Sequence, residues 1–222
     1  MQEILPDQRT HNGEDSLPVL ECRLAPFEPG RPLTAESAPS PVWASLPSHP
    51  LAENRPAGIT TEAPDRPGAS FKAALEAACD GLRLRVLFFL PPAANPSSFI
   101  VGVLLDPFGD LASYLEITHS GTGETGGSIG RVLRNVLRRD PRWRCESLES
   151  ALRPGACGET TVELAIPFSS LGPVAAHPGW RANFYLRPAP DAPERLWSPT
   201  GHRRIDFPER FGHLRMETGK KI

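Results

Sequence analysis

Prolines interrupt this chain so often that a mainly helical fold is disfavoured. There are 26 in 222 residues, about twice the number expected from an average usage of about 5%. Proline cannot donate to a hydrogen-bond ladder and breaks a helix interior, so the pattern points to strands joined by many loops. The densest run, residues 25–68, places a proline every few positions and reads as a long wrap around something else. Within it Val42-Trp43-Ala44-Ser45-Leu46 forms the apolar cluster expected to pack a tryptophan onto the body of the protein.

That body begins near Ser70. Leu82, Leu84, Val86, Phe88 and Leu90 recur with period two, and the opposite face turns apolar from Leu87 on, as in a central strand. Asp80-Gly81 before it is a turn pair with strand patterns on both sides, which predicts a hairpin with residues 70–79. Further strands are expected over Phe99 to Leu105, Leu111 to Thr118, Trp143 to Leu152, Glu159 to Ile166, Arg181 to Arg187 and Arg210 to Met216, with a weaker edge strand over Leu17 to Leu24. Ile129, Val132, Leu133, Val136 and Leu137 follow the spacing of an amphipathic helix, predicting one short helix over 129–139 ended by Asp140-Pro141. The expected organisation is a polar tail over 1–16, one sandwich over 17–216 that includes the wrap, and a short tail over 217–222.

A net charge of -2 provides no electrostatic case for nucleic acid or an anionic membrane as a partner. No apolar run approaches the ~20 residues of a membrane-spanning helix. The first sixteen residues lack a basic region followed by an apolar one, so a cytoplasmic location is expected. Cys22, Cys79, Cys145 and Cys157 show no metal-ligand spacing and read as reduced thiols; no metal and no cofactor is expected.

Several short motifs stand in a telling order. Asp106-Pro107 ends one strand, Tyr114-Leu115-Glu116 opens the next and Ile166-Pro167-Phe168 closes a later one. Asn183-Phe184-Tyr185, Trp197-Ser198-Pro199, Asp206-Phe207 and Pro208-Glu209-Arg210-Phe211-Gly212 then follow. In that order and spacing, residues 70–216 resemble the family 9 carbohydrate-binding modules, a branch of the DOMON-like sandwiches. The resemblance implies an all-β antiparallel sandwich that binds a saccharide without catalysing its reaction. It departs from the family where Asn95-Pro96-Ser97-Ser98 and Ile205 or a neighbour stand in place of aromatic residues, and where Ile100-Val101-Gly102-Val103 replaces a pair of acids.

A sugar site needs flat aromatic surface ringed by amides and carboxylates. Trp197, in a proline-flanked loop, is the expected platform, with Asn183 and Tyr185 on the polar face of their strand and Glu116 on the polar face of its own. Three rival motifs share one loop. Gly121 to Gly126 matches the dinucleotide fingerprint GxGxxG, but the strand before it alternates and no strand-helix repeat follows. The phosphate-loop pattern fails because Gly127 stands where lysine is required. Gly126 to Gly130 matches GxSxG around Ser128, with Asp191 and His213 in hydrolase order, but glycines precede the serine where a strand should run into it. A haem reading from the DOMON relatives would draw axial ligands from His213, Met216 or His119.

Overall fold

The computed structural model describes residues 3–4, 17–28, 33–54, 73–92, 97–133, 136–155, 158–172, 179–201 and 204–217. The strands in chain order are β1 (Glu3–Ile4), β2 (Val19–Leu24), β3 (His49–Pro50), β4 (Ala52–Glu53), β5 (Ala74–Cys79), β6 (Arg83–Leu90), β7 (Ile100–Asp106) and β8 (Ser113–Ser120). They continue as β9 (Thr125–Leu133), β10 (Val136–Asp140), β11 (Glu149–Pro154), β12 (Thr160–Pro167), β13 (Gly179–Arg187), β14 (Arg195–Leu196) and β15 (Gly212–Met216).

These strands form two layers. One follows the order β1-β10-β9-β8-β7-β13-β15, and the other β5-β6-β12-β11. Strand β2 belongs to both: Val19 to Cys22 run parallel to β15, and Arg23 and Leu24 run parallel to β5. The expected edge strand is thus the seam between the layers, and its two pairings are the parallel exceptions among otherwise antiparallel pairs. The hairpin at Asp80-Gly81 is present. The Asp80 carboxylate accepts the backbone N–H groups of Leu82 and Arg83 at 3.0 and 2.8 Å, and Gly81 adopts a φ of 85° that only glycine takes without strain.

Period-two alternation builds the core between the layers. Leu84, Val86, Phe88 and Leu90 of β6 and Val162, Leu164 and Ile166 of β12 face Val101, Val103 and Leu105 of β7 and Ala182, Phe184 and Leu186 of β13. His119 of β8 is also buried, at 2% exposure, and its Nδ1 makes no hydrogen bond to a described residue. Burial lowers its pKa, opposed by a bond involving the Ser120 backbone. Since the unfolded chain titrates near the ordinary value of about 6.5, it binds the proton first. The stability contributed by neutral His119 is therefore full above that pH and is lost as pH falls from there toward the folded value. Urea midpoints measured between pH 8 and pH 5 should fall for the wild type relative to those of His119→Leu, the comparison that cancels other titrating groups such as the buried Glu76; equal slopes would refute the assignment.

The described part of the wrap up to Leu46 lies on the outer face of the second layer, whereas β3 pairs with β5 and β4 with β14 of the first layer. A 3-10 turn over Pro41–Ser45 buries Trp43, which packs with Phe27, Ala25, Ala78 and Leu87, as the apolar cluster in the sequence predicts. Residues 29–32 and 55–68 of the wrap lie outside the described residues, as do residues 69–72, Asn95, Pro96 and Cys157.

The expected helix over 129–139 is instead the hairpin of β9 and β10, with Val132 opposite Leu137 and Gly130 opposite Arg139. Its alternation is hidden because the buried positions on β9 hold Ser128 and Gly130 rather than large apolar groups, while Ile129 is exposed. The predicted strand over 143–152 is confined to β11, with residues 143–148 outside any strand and a turn at 146–147.

Candidate functional site

The outer face of the first layer carries the polar side chains, arranged in rows by strand register. One row runs Tyr185, Gly102, Thr118, Gly126 across β13, β7, β8 and β9. The next runs Asn183, Leu104, Glu116, Ser128. A third places Tyr114 opposite Gly130, which lies opposite Arg139.

Two glycines permit this surface. A Cβ on Gly102 would lie 2.1 Å from Cε1 of Tyr185, and one on Gly130 would lie 2.0 Å from Cζ of Tyr114. Each phenol ring lies across the neighbouring strand where a side chain would otherwise stand. Both rings are buried, and their hydroxyls reach the two acids of the site. Tyr185 donates to Glu116 Oε1 at 2.9 Å, and Tyr114 donates to Asp206 Oδ2 at 3.0 Å.

Arg139 joins the two acids. Its Nη1 lies 3.3 Å from Glu116 Oε2 and its Nη2 3.0 Å from Asp206 Oδ2. Ser128 Oγ donates to Glu116 at 2.9 Å, and Arg204 grips Asp206 through Nε and Nη2 at 3.0 and 2.8 Å. Burial would raise the Asp206 carboxyl, but the hydrogen bond and charge of Arg204, then Arg139 and Tyr114, outweigh it and hold the group below the ordinary carboxylate range. Burial first and the Glu116 charge second push the Tyr185 phenol well up, so it stays a neutral donor.

Above this network opens a cleft of about 570 Å³. Ile100, Leu137 and Ile205 form its apolar walls, and Arg187 and Glu194 stand beside Thr118, Glu116 and Arg139. Arg187 holds Glu194 through Nε and Nη2 at 3.1 and 3.0 Å. Arg204, Ile205 and Asp206 make one wall, held in place because Leu196, Ile205 and Phe211 pack with Leu104, Tyr114 and Tyr185.

Of the four residues expected to bind ligand, Glu116 and Tyr185 line this cleft and Asn183 and Trp197 do not. Asn183 is fully buried and ties down the segment 197–200: its Nδ2 donates to the Ser198 carbonyl at 2.7 Å, and its Oδ1 accepts the Ser198 N–H at 3.0 Å. Trp197 is not the expected exposed platform. At 7% exposure it belongs to the core, with its ring edge-on to Phe184 at 5.6 Å. The residues missed in the sequence are Arg139, Asp206, Arg187, Glu194 and Thr118. Arg139 was hidden by the helical spacing around it, whereas Asp206 stood in the Asp206-Phe207 motif without a partner to mark it.

The rival motifs do not assemble. Residues 121–124 form a tight turn into the antiparallel strand β9, so no helix N-terminus follows the glycines to receive a pyrophosphate. Ser128 sits within β9 and His213 on β15, four strands away, roughly 19 Å at ~4.8 Å per strand. His119 is in register with Val101 and Leu186, whereas His213 is in register with Arg181 and faces the other side of the layer. Those histidines cannot oppose each other across one iron. Among the described residues no group of three or more His, Cys, Asp or Glu side chains could hold a metal ion.

No family model and no curated protein matches the chain. Solved structures do match in fold. A "putative carbohydrate-binding protein" from Bacteroides uniformis superposes with a TM-score of 0.61 at 16% identity, covering 91% of this chain and all of that one. A family 9 carbohydrate-binding module from Caldicellulosiruptor kristjanssonii, solved in complex with cellotriose, superposes with a TM-score of 0.59 at 14% identity, covering 92% of this chain and 96% of that one. The fold is thus the β-sandwich of the family 9 modules, as the order of motifs in the sequence implies.

Proposed function

We propose that the chain is a non-catalytic carbohydrate-binding sandwich whose ligand lies in the cleft above Glu116, Arg139 and Tyr185. The observation that carries this reading is the cleft itself. It is sugar-sized, at about 570 Å³, it opens on the polar face of a sandwich shared with a cellotriose-binding module, and it presents planar hydrogen-bonding groups between apolar walls. Asp206 does not suit the general acid of a hydrolysis. A glycosidase needs one carboxyl kept protonated as the general acid, while Asp206 is drawn below its ordinary range by two guanidinium groups. With its indole in the core, Trp197 is not part of this site, and contact with a sugar ring falls to Ile100, Leu137 and Ile205.

A saccharide array followed by calorimetric titration tests the reading. Thr118 lines the cleft on the outer face of β8, and Thr118→Phe would fill the space while keeping a good strand former. Binding should be lost in that variant with the melting temperature nearly unchanged. A saccharide bound equally well by both proteins would place the site elsewhere.

A further inference from the structure

The charges that line the cleft balance on paper: Glu116, Glu194 and Asp206 stand against Arg139, Arg187 and Arg204. They are not presented equally. The Arg139 side chain is 41% exposed, against 11% for Glu116 and 4% for Asp206. Arg187 is 35% exposed and its partner Glu194 22%. In each pair the carboxylate is the more buried member and the guanidinium the wetter one.

The acceptors on the floor are also occupied. Glu116 Oε1 accepts from Tyr185, and Oε2 meets both Ser128 and Arg139. Asp206 Oδ1 accepts from Arg204, and Oδ2 accepts from Tyr114, Arg139 and Arg204. Oxygens so engaged have little left to offer a sugar hydroxyl. Donors remain. A guanidinium carries five N–H groups; Arg139 engages its partners through Nη1 and Nη2, leaving Nε–H, and Arg187 uses Nε and Nη2, leaving Nη1. Beside them, among the described residues, Glu194 keeps Oε2 as an acceptor, since Arg187 holds Oε1.

We infer that the saccharide taken by this cleft carries an anionic group, which docks on the exposed N–H groups of Arg139 or Arg187 while neighbouring hydroxyls meet Thr118 and Glu194. The inference rests on the saccharide reading above and narrows it. A carboxylate or acid ester presents several acceptor oxygens to a rigid fork of donors, and charge-assisted bonds of this kind are about twice as strong as neutral ones. A neutral sugar would instead want free acceptors for its hydroxyl protons and an open aromatic face for its ring. The acceptors of the floor are engaged, and the Tyr185 ring is buried over Gly102.

Calorimetric titration with digalacturonate, glucose 6-sulfate, cellobiose and sodium sulfate separates the outcomes. The acidic sugars should bind at least about tenfold more tightly than cellobiose and weaken as salt is raised. The better of the two identifies the anionic group as carboxylate or ester. Arg187→Gln, at the rim, and Arg139→Lys, which keeps the charge but loses the planar fork, should each reduce affinity for the acidic sugar several-fold, and by a larger factor than any change in affinity for cellobiose. Equal or tighter binding of cellobiose would overturn the anionic inference and leave the saccharide reading standing. Retention of the full acidic preference in both variants would overturn the assignment to these two guanidiniums. Binding of sulfate alone, or of nothing, would overturn both the inference and the saccharide reading beneath it.

Discussion

Trp197→Ala is expected to lower the stability of this protein by about 3–5 kcal/mol, a large part of the ~5–15 kcal/mol that a domain possesses. The indole is 7% exposed and packs edge-on to Phe184 at 5.6 Å with 68° between the rings. Its far edge occupies the space over Gly212, where a Cβ would come within 2.4 Å of Cζ3. Alanine leaves a cavity bounded by strands on both sides, and a ladder held by backbone hydrogen bonds cannot collapse to fill it. Chemical denaturation of both proteins provides the measurement. The opposite result, a stable Trp197→Ala protein that no longer binds saccharide, would place the indole in the cleft and refute the packing described above.

Strands whose buried face is built of large apolar residues could be read directly. Leu84, Val86, Phe88 and Leu90 of β6 and Ala182, Phe184 and Leu186 of β13 alternate without interruption, and both strands lie where the pattern puts them. β9 and β10 could not be read in this way. The space under Tyr114 requires glycine at 130 and the bond to Glu116 requires a small hydroxyl at 128, so the alternation loses its apolar members and a chance spacing of Ile129, Val132 and Val136 mimics a helix. The same misreading concealed Arg139, which becomes a site residue only once the hairpin sets it opposite Gly130.

Trp197 was placed by its surroundings in sequence, since a loop between prolines suggests exposure. The burial arises from contacts with β13 and Gly212, which are remote in sequence or visible only in three dimensions. Glu116 and Tyr185 illustrate the reverse: strand parity was enough to put both on the outer face. Parity could not say that Asn183 is buried and bonded to Ser198 while those two are left at the cleft.

Glu163→Gln should be nearly as damaging, at about 3–5 kcal/mol, because it breaks a buried ion pair by removing one partner. Glu163, on the outer face of β12, is covered by the wrap and sits between two arginines. Its Oε1 lies 3.4 Å from Arg85 Nη1 and its Oε2 3.1 Å from Arg153 Nη1, and none of the three side chains exceeds 8% exposure. Trp43 Nε1 donates to Oε1 at 3.3 Å, Arg153 Nε donates to the Ser37 carbonyl, and the Arg85 guanidinium stacks on Phe27 at 4.4 Å. Three contacts of the wrap therefore converge on one carboxylate and its partners. The neutral amide leaves Arg153 without its acid, and Asp80 alone remains to pair with Arg85. Phe27, Ser37 and Trp43 should then lose their hold, so limited proteolysis in the proline-rich wrap should accelerate along with the fall in denaturation midpoint. The triple replacement Arg85→Met, Glu163→Leu, Arg153→Met should recover most of the loss, since a buried triad replaced by apolar groups of similar volume is often neutral or stabilising. If the single variant unfolds at the wild-type midpoint, or the triple variant is worse than the single, the wrap is held by the apolar contacts of Trp43 and Phe27 rather than by this carboxylate.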